Sequence, residues 1–353
     1  MNSNYFVNHK KYSQAELLIY AQSKLKQRDL PDWERDLFSF IIAWFSGTET
    51  ITILTSGSTG TPKKIEIPKS RMICSARRTL DYFDVKPFEN ILLCLPAKYI
   101  AGMMMIVRAF SGSLNLITIS PQHLFLSDIE DKIGFASMVP LQVSKHLDES
   151  HNFDRLEKLL LGGAPVSQRL TEKVKSFFKG QVWETYGMTE TITHVAVRRI
   201  EDEVQVFHAL PGISFSVDER ECLIISDPLI QEQPIITNDR VELRSGTSFR
   251  LIGRLDHVIN SGGIKVQPEE LERQLEPHID HRFCITSMPH ATLGQMVVLV
   301  VEEGADLEKI RSAIDTIDDY RRPKKIIELK HIPTSANGKI DMKSISERIN
   351  GAF

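Results

Sequence analysis

Short stretches of the chain alternate between polar and apolar residues, as strands do. In the stretches between them, apolar residues recur with the spacing of a helix. Residues 50–54 (Thr-Ile-Thr-Ile-Leu) and 65–67 (Ile-Glu-Ile) alternate, which predicts two half-buried strands. Nearer the N-terminus, Ser13 and Glu16 have the spacing of a capping box and predict the start of a first helix. A second, amphipathic helix is predicted after Pro31, and its apolar face consists of Trp33, Leu37, Phe40, Ile41 and Trp44.

Helical and strand patterns then alternate as far as residue 185. Helices are predicted over residues 71–83 and 103–110, after Pro140, and over 168–178. Strands are predicted between them, over residues 91–95, 114–119, 136–139, 159–161 and 182–185. This alternation is typical of an α/β architecture.

The pattern changes after Thr193 and again after Asp256. Between these points short strands are predicted at residues 195–198, 204–207, 213–217, 223–225, 241–243 and 249–252. A run of short strands without a helix favours a small barrel or a distorted sheet. Beyond Asp256 the pattern predicts a helix from Pro268, a helix over 307–317, and strands over 297–301 and 325–329. We therefore predict a large α/β domain with a small β-barrel-like end, residues 1–253, and a smaller α+β domain, residues 254–353.

Composition narrows the class of protein. A chain of 353 residues predicts roughly two domains, and 42% hydrophobic residues is enough for ordinary cores. The net charge is −3 and no long basic run occurs, which argues against a nucleic-acid partner. Small molecules are therefore the expected partners.

The spacing of the cysteines and the length of the apolar runs indicate the cellular compartment of the protein. The four cysteines are scattered singly, which favours a reducing compartment over a disulfide framework or a zinc knuckle. Residues 1–10 contain no apolar core of a signal peptide, and the longest apolar runs, 40–45 and 100–107, are too short to span a bilayer. A cytoplasmic protein without a membrane segment is expected, and its oligomeric state stays open.

One loop concentrates groups that bind phosphate. Residues 55–64 (Thr-Ser-Gly-Ser-Thr-Gly-Thr-Pro-Lys-Lys) join the two predicted strands. Gly57 and Gly60 permit a close backbone approach, while hydroxyl and N–H groups can converge on phosphate oxygens. A simple turn or linker has a similar composition. A Walker A loop is excluded, because Pro62 stands where that motif requires glycine.

Three later stretches carry candidate chemistry. In residues 183–191 (Trp-Glu-Thr-Tyr-Gly-Met-Thr-Glu-Thr), Tyr186 can stack on a flat ring, Thr189 can bond a phosphate oxygen and Glu190 offers a hard ligand for Mg²⁺. Residues 162–165 (Gly-Gly-Ala-Pro) leave room for a flat ligand, although a strand-ending turn has the same sequence. The carboxylate of Asp239 can accept hydrogen bonds from both hydroxyls of a ribose, although most isolated aspartates are surface or capping residues.

In chain order these motifs resemble those of the adenylate-forming superfamily of acyl- and aryl-CoA synthetases, peptide-synthetase adenylation domains and luciferases. Residues 55–63 match every fixed position of its T-S-G-S-T-G-x-P-K loop. Residues 186–190 and 162–165 match its Y-G-x-T-E and G-G-A/E-x elements. Residues 237–239 match T-G-D, with asparagine for the glycine. Residues 256–272 resemble the start of the family's C-terminal domain, and residues 333–340 resemble its lysine loop. The resemblance therefore extends from residue 51 to the C-terminus.

The resemblance implies ATP, Mg²⁺ and CoA as ligands. Thr189, Glu190 and Lys339 would be catalytic, with Glu190 also holding Mg²⁺. Asp256 would be the hinge of a mobile C-terminal domain that carries Lys339, and Gly262 and Gly263 would line the tunnel for CoA. The residues implied for ATP and AMP are Thr55, Ser56, Gly57, Ser58, Thr59, Gly60, Lys63, Gly162, Gly163, Ala164, Thr185, Tyr186, Gly187, Asp239 and Arg254.

Two features depart from the family pattern. The family has a long N-terminal subdomain before its phosphate loop, whereas this loop begins at Thr55, so a shortened member is expected. In residues 95–102 (Leu-Pro-Ala-Lys-Tyr-Ile-Ala-Gly), Tyr99 stands where aromatic-acid ligases commonly have histidine. The gating of the acyl pocket is therefore expected to differ.

Within the family, the motifs most resemble those of bacterial o-succinylbenzoate–CoA ligases of menaquinone biosynthesis, which implies that acid as the substrate. Its second carboxylate needs a donor, because an unpaired buried charge costs several kcal/mol. Tyr99, Thr191, Thr193 and His194 are candidates, although His194 is equally well explained as a strand residue facing solvent. The alternatives are another acyl- or aryl-CoA ligase, an adenylation domain that loads a carrier protein, and a non-catalytic nucleotide-binding protein.

Overall fold

The computed structural model describes residues 4–55, 63–122, 129–149, 153–334 and 340–350. Within these ranges the helices are α1 (Gln14–Leu25), α2 (Asp32–Phe45), α3 (Lys69–Tyr82), α4 (Ile100–Gly112), α5 (Pro140–Glu149), α6 (Gln168–Phe177), α7 (Pro268–Leu275), α8 (Leu307–Asp315) and α9 (Met342–Asn350). The first ten strands are β1 (Tyr5–Val7), β2 (Lys10–Tyr12), β3 (Thr50–Thr55), β4 (Lys63–Pro68), β5 (Asn90–Leu93), β6 (Asn115–Thr118), β7 (Ile133–Met138), β8 (Leu156–Leu161), β9 (Gln181–Gly187) and β10 (His194–Arg199). The others are β11 (Phe207–Ala209), β12 (Ser214–Val217), β13 (Cys222–Ser226), β14 (Ile235–Ser245), β15 (Ser248–Arg254), β16 (Ile259–Ser261), β17 (Ile264–Val266), β18 (Phe283–His290), β19 (Gly294–Glu302) and β20 (Lys325–Leu329).

The predicted α/β class is confirmed. The alternating helices and strands up to β9 occur where the pattern predicts them, with different ends. The strand predicted over 204–207 is wrong except for its last residue, since β11 begins at Phe207. β1, β2, β16, β17, β18 and α9 have no counterpart among the predicted elements.

The chain forms two compact units. Unit 1 consists of Met1–Gly162, Lys173–Ser214 and Ser226–Ile235. Unit 2 consists of Gly163–Glu172, Phe215–Ile225 and Ile236–Phe353. None of the described helices is long and apolar enough to cross a bilayer.

Unit 1 is built on a sheet in the order β11-β10-β9-β8-β7-β5-β6-β1-β2. The strands from β9 to β1 run parallel, and β2, β10 and β11 pair antiparallel at the two ends. The central strands are almost wholly buried, as expected where both faces of a parallel sheet are covered. The carboxyl ends of β8 and β9 therefore lie side by side, and they carry the Gly-Gly-Ala and Tyr-Gly-Met-Thr-Glu motifs.

A separate hairpin carries the phosphate-loop motif. β3 and β4 pair antiparallel, with Ile51 opposite Ile67 and Ile53 opposite Ile65. The apolar residues of both strands therefore share one face, as the alternation predicts. The last pair is Thr55 and Lys63, so the two strands predicted on either side of the phosphate-loop motif are confirmed.

Unit 2 contains two sheets. Strands β12 to β15 follow one another in order, and the β14–β15 register shifts twice, which distorts the pair. The second sheet has the order β17-β16-β19-β18, with β20 parallel to β19. Alternate residues of β19 pack on opposite faces. One face packs on α7 and α8, in a cluster that includes Val297, Leu299, Leu271 and Ile310. The other face packs on α9, in a cluster that includes Val298, Val300, Ile345 and Ile349. The predicted C-terminal α+β organisation is confirmed.

Candidate active site

Several predicted site residues lie outside the described part of the chain. They are Ser56, Gly57, Ser58, Thr59 and Gly60 of the phosphate loop, and Lys339. Thr55 and Lys63 are described by their backbone as the last residue of β3 and the first of β4. The roles predicted for these residues stay predictions.

Gly162 and Thr185 make a close contact where β8 ends beside β9. The Thr185 hydroxyl donates to the carbonyl of Leu161 at 3.0 Å. A Cβ on Gly162 would collide with that hydroxyl, so the absence of a side chain is a packing requirement here. Gly162 is followed in the chain by Gly163 and Ala164, which belong to unit 2. Gly163 has a φ of +85°. Glycine thus serves both close packing and a left-handed backbone.

Tyr186 and Gly187 complete β9. The Tyr186 side chain is buried, and its ring centroid lies 6.0 Å from that of Phe207. At Gly187 a Cβ would meet the carbonyl of Thr193 and the Cα of His194, so the backbones of β9 and β10 approach closely here.

Thr189 and Glu190 lie on a short 3₁₀ turn (Thr189–Thr191) directly after β9. Glu190 is exposed, and its main-chain carbonyl accepts a hydrogen bond from Gln231 Nε2 at 3.0 Å. Among the described residues, no group of three or more His, Cys, Asp or Glu side chains could enclose a metal ion. Mg²⁺ usually binds proteins through one or two carboxylates together with substrate phosphates, and Glu190 alone suits that mode.

The residues predicted to contact the acid differ in their surroundings. The Thr191 hydroxyl is engaged in the turn itself. The Thr193 hydroxyl bonds that of Ser75 on α3 at 3.0 Å. Tyr99 is the N-cap residue of α4, and Lys98 Nζ lies 5.2 Å from the centroid of its ring.

His194 is buried, which is contrary to the alternative of a strand residue facing solvent. Its Nε2 lies 3.4 Å from the hydroxyl oxygen of Thr79, and that hydroxyl donates to the Ser75 carbonyl at 3.1 Å. The Nε2 of His194 is therefore the donor. Burial, followed by the charges of Arg108 and Arg78, holds the pKa of His194 well below its usual range. The ring is neutral at physiological pH.

Arg108 is a functional candidate that the motifs do not reveal. It lies on α4 and is 3% exposed, and its Nη1 contacts Met105 Sδ at 3.3 Å. Among the described residues, its Nε has no hydrogen-bond partner and no carboxylate lies within salt-bridge distance of its guanidinium. Burial lowers the pKa of Arg108 to about 9. The sequence signal is that Arg108 carries the one charge between Tyr99 and Phe110.

Asp239, Arg254 and Asp256 are brought together in unit 2. Asp239 and Arg254 are register partners on β14 and β15, and Arg254 Nη1 lies 3.8 Å from Asp239 Oδ1. Arg254 also donates to both carboxylate oxygens of Asp256, from Nε at 2.9 Å and from Nη2 at 2.8 Å. These hydrogen bonds lower the pKa of Asp256. Arg254, which is predicted to bind ATP or AMP, and Asp256, which is predicted to be the hinge, are thus direct partners.

Gly262 and Gly263 form the two-residue loop between β16 and β17. Their φ angles are +60° and +86°, and Ser261 pairs with Ile264 across the loop. Positive φ at both central residues is the requirement of a type I′ hairpin turn, which explains both glycines. Their predicted contact with CoA stays a prediction.

Comparison with known proteins gives a consistent result. The profile of the family described as "AMP-binding enzyme" matches residues 9–229. The 2-succinylbenzoate–CoA ligase of Lactococcus lactis is 24% identical over 317 residues, covering 82% of this chain and 69% of that protein. The Escherichia coli 2-succinylbenzoate–CoA ligase is 28% identical over 315 residues, covering 83% and 68%. The crystal structure of an acyl-CoA synthetase (AMP-forming)/AMP-acid ligase II-like protein from Dyadobacter fermentans is 32% identical, with a TM-score of 0.61 and coverage of 94% and 97%.

Proposed function

The chain belongs to the AMP-binding enzyme family, and on that basis we propose that it ligates o-succinylbenzoate to CoA, with conversion of ATP to AMP and diphosphate. The names of the similar ligases from L. lactis and E. coli support this acid. The product, o-succinylbenzoyl-CoA, would serve menaquinone biosynthesis. ATP and CoA are cytoplasmic substrates, and we place the enzyme in the cytoplasm.

The observation that supports this acid is the uncompensated charge of Arg108. o-Succinylbenzoate has two carboxylates and a ketone, and the carboxylate that is not activated needs a cationic partner once it leaves water. Arg108 is a buried guanidinium without a carboxylate among its described neighbours. A substrate carboxylate beside it would stabilise the charged state that burial disfavours.

The surrounding groups leave one positive charge for the acid. The guanidinium of Arg78 is paired with Asp227 by two hydrogen bonds of 2.6 and 2.8 Å. His194 is neutral because burial and the two guanidinium groups lower its pKa. One uncompensated cation matches one free carboxylate. A monocarboxylic acid such as benzoate would leave Arg108 unpaired.

The reaction proceeds in two steps. A carboxylate oxygen of the acid attacks the α-phosphorus of ATP, a new P–O bond forms, and the bond to diphosphate breaks. The sulfur of CoA then attacks the acyl carbon, AMP leaves with the electron pair of the C–O bond, and the thiol proton passes to solvent. The first step accumulates charge on phosphate oxygens, which the Thr189 hydroxyl, the loop hydroxyls and Lys339 would stabilise by hydrogen bonds.

Glu190 is the residue proposed to hold Mg²⁺, because its carboxylate is exposed at the carboxyl end of β9. When bound, Mg²⁺ would neutralise part of the charge of the phosphates. Tyr186, Gly162, Gly163 and Ala164 are proposed for adenine. Asp239 and Arg254 are proposed for the ribose, and Gly262 and Gly263 for CoA.

The second step requires that Lys339 no longer occupies the site of attack, and we therefore propose that residues 254–353 move about Asp256 between the steps. The ion pair between Arg254 and Asp256 would be broken and formed again as the hinge turns, because the two residues are adjacent to the proposed boundary.

Product analysis with a panel of acids tests the proposed function. The protein is incubated with ATP, Mg²⁺ and o-succinylbenzoate, benzoate or a medium-chain fatty acid, with and without CoA. We expect AMP and diphosphate release that is fastest with o-succinylbenzoate, and thioester formation when CoA is present. Adenylation without any transfer to CoA would indicate a carrier-protein acceptor, and no diphosphate release with any acid would indicate a non-catalytic nucleotide-binding protein.

A further inference from the structure

The backbone after β9 contains a strained turn at Ile192. This residue has φ +67° and ψ −58°. The amide of Thr193 donates to the carbonyl of Thr191 at 2.8 Å, which closes a three-residue turn. Such γ-turns with positive φ are rare, and a β-branched residue in this region is an outlier. Ile192 is also 2% exposed, so the surrounding core fixes its side chain.

The hydroxyl of Thr191 ties this turn to the end of the strand. It accepts a hydrogen bond from the amide of Met188 at 2.9 Å and lies 2.6 Å from the carbonyl oxygen of Thr193, to which it donates. It also lies 2.9 Å from the carbonyl oxygen of Met188. One hydroxyl offers one donor and two acceptor positions, and the side chain is 3% exposed. The turn therefore uses this hydroxyl, which is not free to bind an acid.

The surroundings prevent the turn from relaxing while that hydroxyl is bonded. A side chain at Gly187 would strike the carbonyl of Thr193, which shows how closely the two strands approach. Thr189 and Glu190 lie between the two ends that this hydroxyl joins. The amide of Ile192 donates to the carbonyl of Thr189 at 2.9 Å, and Gln231 Nε2 donates to the carbonyl of Glu190 at 3.0 Å. Strained backbone of this kind persists where its neighbours over-determine it, and it concentrates at functional sites.

We propose that Thr191 is a positioning residue for adenylation: its hydroxyl maintains the strained turn at Ile192, and the turn fixes the direction in which Thr189 and Glu190 leave β9. This rests on the proposed function, since Thr189 and Glu190 act on the phosphates there. Without the hydroxyl, Ile192 would relax to negative φ, and the Glu190 carboxylate would lose its fixed direction. Thioester formation from a preformed acyl-adenylate, which needs no metal, would be spared.

Three variants test this. Thr191→Val keeps the shape and removes the hydroxyl, while Thr191→Ser keeps the hydroxyl. Thr191→Val/Ile192→Gly allows the positive φ without strain, because glycine adopts it freely. Thr286→Val, at a buried threonine of β18, is the control for loss of a buried hydroxyl.

For Thr191→Val we expect adenylation kcat/KM to fall about tenfold or more and the Mg²⁺ concentration for half-maximal rate to rise, with thioester formation from acyl-adenylate changed less than about twofold. Thr191→Ser and the double variant should recover the Mg²⁺ dependence, even where the double variant melts at a lower temperature. Equal loss in both half-reactions would make the hydroxyl merely structural and overturn the proposal.

Hydrogen exchange of the ligand-free protein tests the turn independently of activity. The amide of Thr193 should lose protection in Thr191→Val and regain it in the double variant. Unchanged protection in Thr191→Val would overturn the proposal even if the wild-type protein proved inactive. An inactive wild type with the expected exchange pattern would instead contradict the proposed function alone.

Discussion

Arg78 and Asp227, which are 149 residues apart in the sequence, form a buried bidentate ion pair. The two hydrogen bonds measure 2.6 and 2.8 Å, and the side chains are 7% and 3% exposed. The pair joins α3 to the segment after β13 within unit 1. Two ions taken out of water are tolerated here because each compensates the other.

Removal of one partner should therefore be far more costly than removal of both. Asp227→Ala leaves Arg78 buried and unpaired, so we expect the free energy of unfolding to fall by about 3–5 kcal/mol in urea denaturation. The double variant Arg78→Leu/Asp227→Leu should lose less stability than either single leucine variant, and therefore less than their sum. If the single changes prove additive, the pair contributes no coupling to stability.

Glu272 in unit 2 should make stability depend on pH. It accepts a hydrogen bond from the amide of Ile285 at 2.8 Å. Burial raises its pKa from the usual 4.5 to about 7, with a further increase from Glu269 and opposing effects of that hydrogen bond, His257 and Arg273. At a pH between these two pKa values, the Glu272 carboxyl has released its proton in the unfolded chain and retains it in the folded chain. Stability should thus fall by about 3 kcal/mol as pH rises from about 4.5 to about 7.

The test compares urea unfolding at pH 5 and pH 8. Glu272→Gln keeps an acceptor for the Ile285 amide but cannot ionise, so its loss of stability over this interval should be smaller than that of the wild type. Glu270→Gln is the matched control, because Glu270 is 40% exposed and paired with Arg321 at 3.1 Å. A wild-type pH profile that Glu272→Gln leaves unchanged would be contrary to this account.

Lys339 should act in one half-reaction only. Lys339→Ala should abolish acyl-adenylate formation and leave thioester formation from presynthesised acyl-adenylate largely intact, because its ammonium group is needed only while charge develops on the α-phosphate. Diphosphate release measures the first step and thioester formation the second. Loss of both to the same extent would indicate a structural role for Lys339.

A proline at position 256 should stop the proposed domain movement. Asp256→Pro fixes φ and should trap one orientation, so that one half-reaction is retained in single-turnover assays and the other is lost. Asp256→Ala controls for the lost ion pair with Arg254, since it leaves φ free. Normal rates for both steps in Asp256→Pro would exclude rotation about this residue.

Local patterns predicted the local features of the fold. The capping box at Ser13 and Glu16 is present, with bonds of 2.7 and 3.3 Å between them. The alternation before and after the phosphate-loop motif gave a hairpin with its isoleucines on one face. Such features depend on residues a few positions apart, which is the range that periodicity and capping report.

Features that depend on distant contacts were not predicted. The β1–β2 hairpin has positive φ at Asn8 and His9 without a glycine. The positive φ of Ile192 likewise has no sequence signal, because the hydroxyl of Thr191 and the packing of β9 on β10 maintain it. In the sequence Arg108 is one cation among apolar residues, and only the fold shows that it is buried and that no described carboxylate pairs with it.

The most direct test of the proposed function is the ratio of kcat/KM for o-succinylbenzoate to that for benzoate, in the wild type and in Arg108→Met. Methionine is unbranched like the stem of the arginine side chain, and it removes the charge. The wild type should prefer o-succinylbenzoate, and Arg108→Met should lose about a hundredfold with this acid, equivalent to about 3 kcal/mol, and less than about twofold with benzoate. A wild-type preference for benzoate, or equal losses with both acids, would contradict the account.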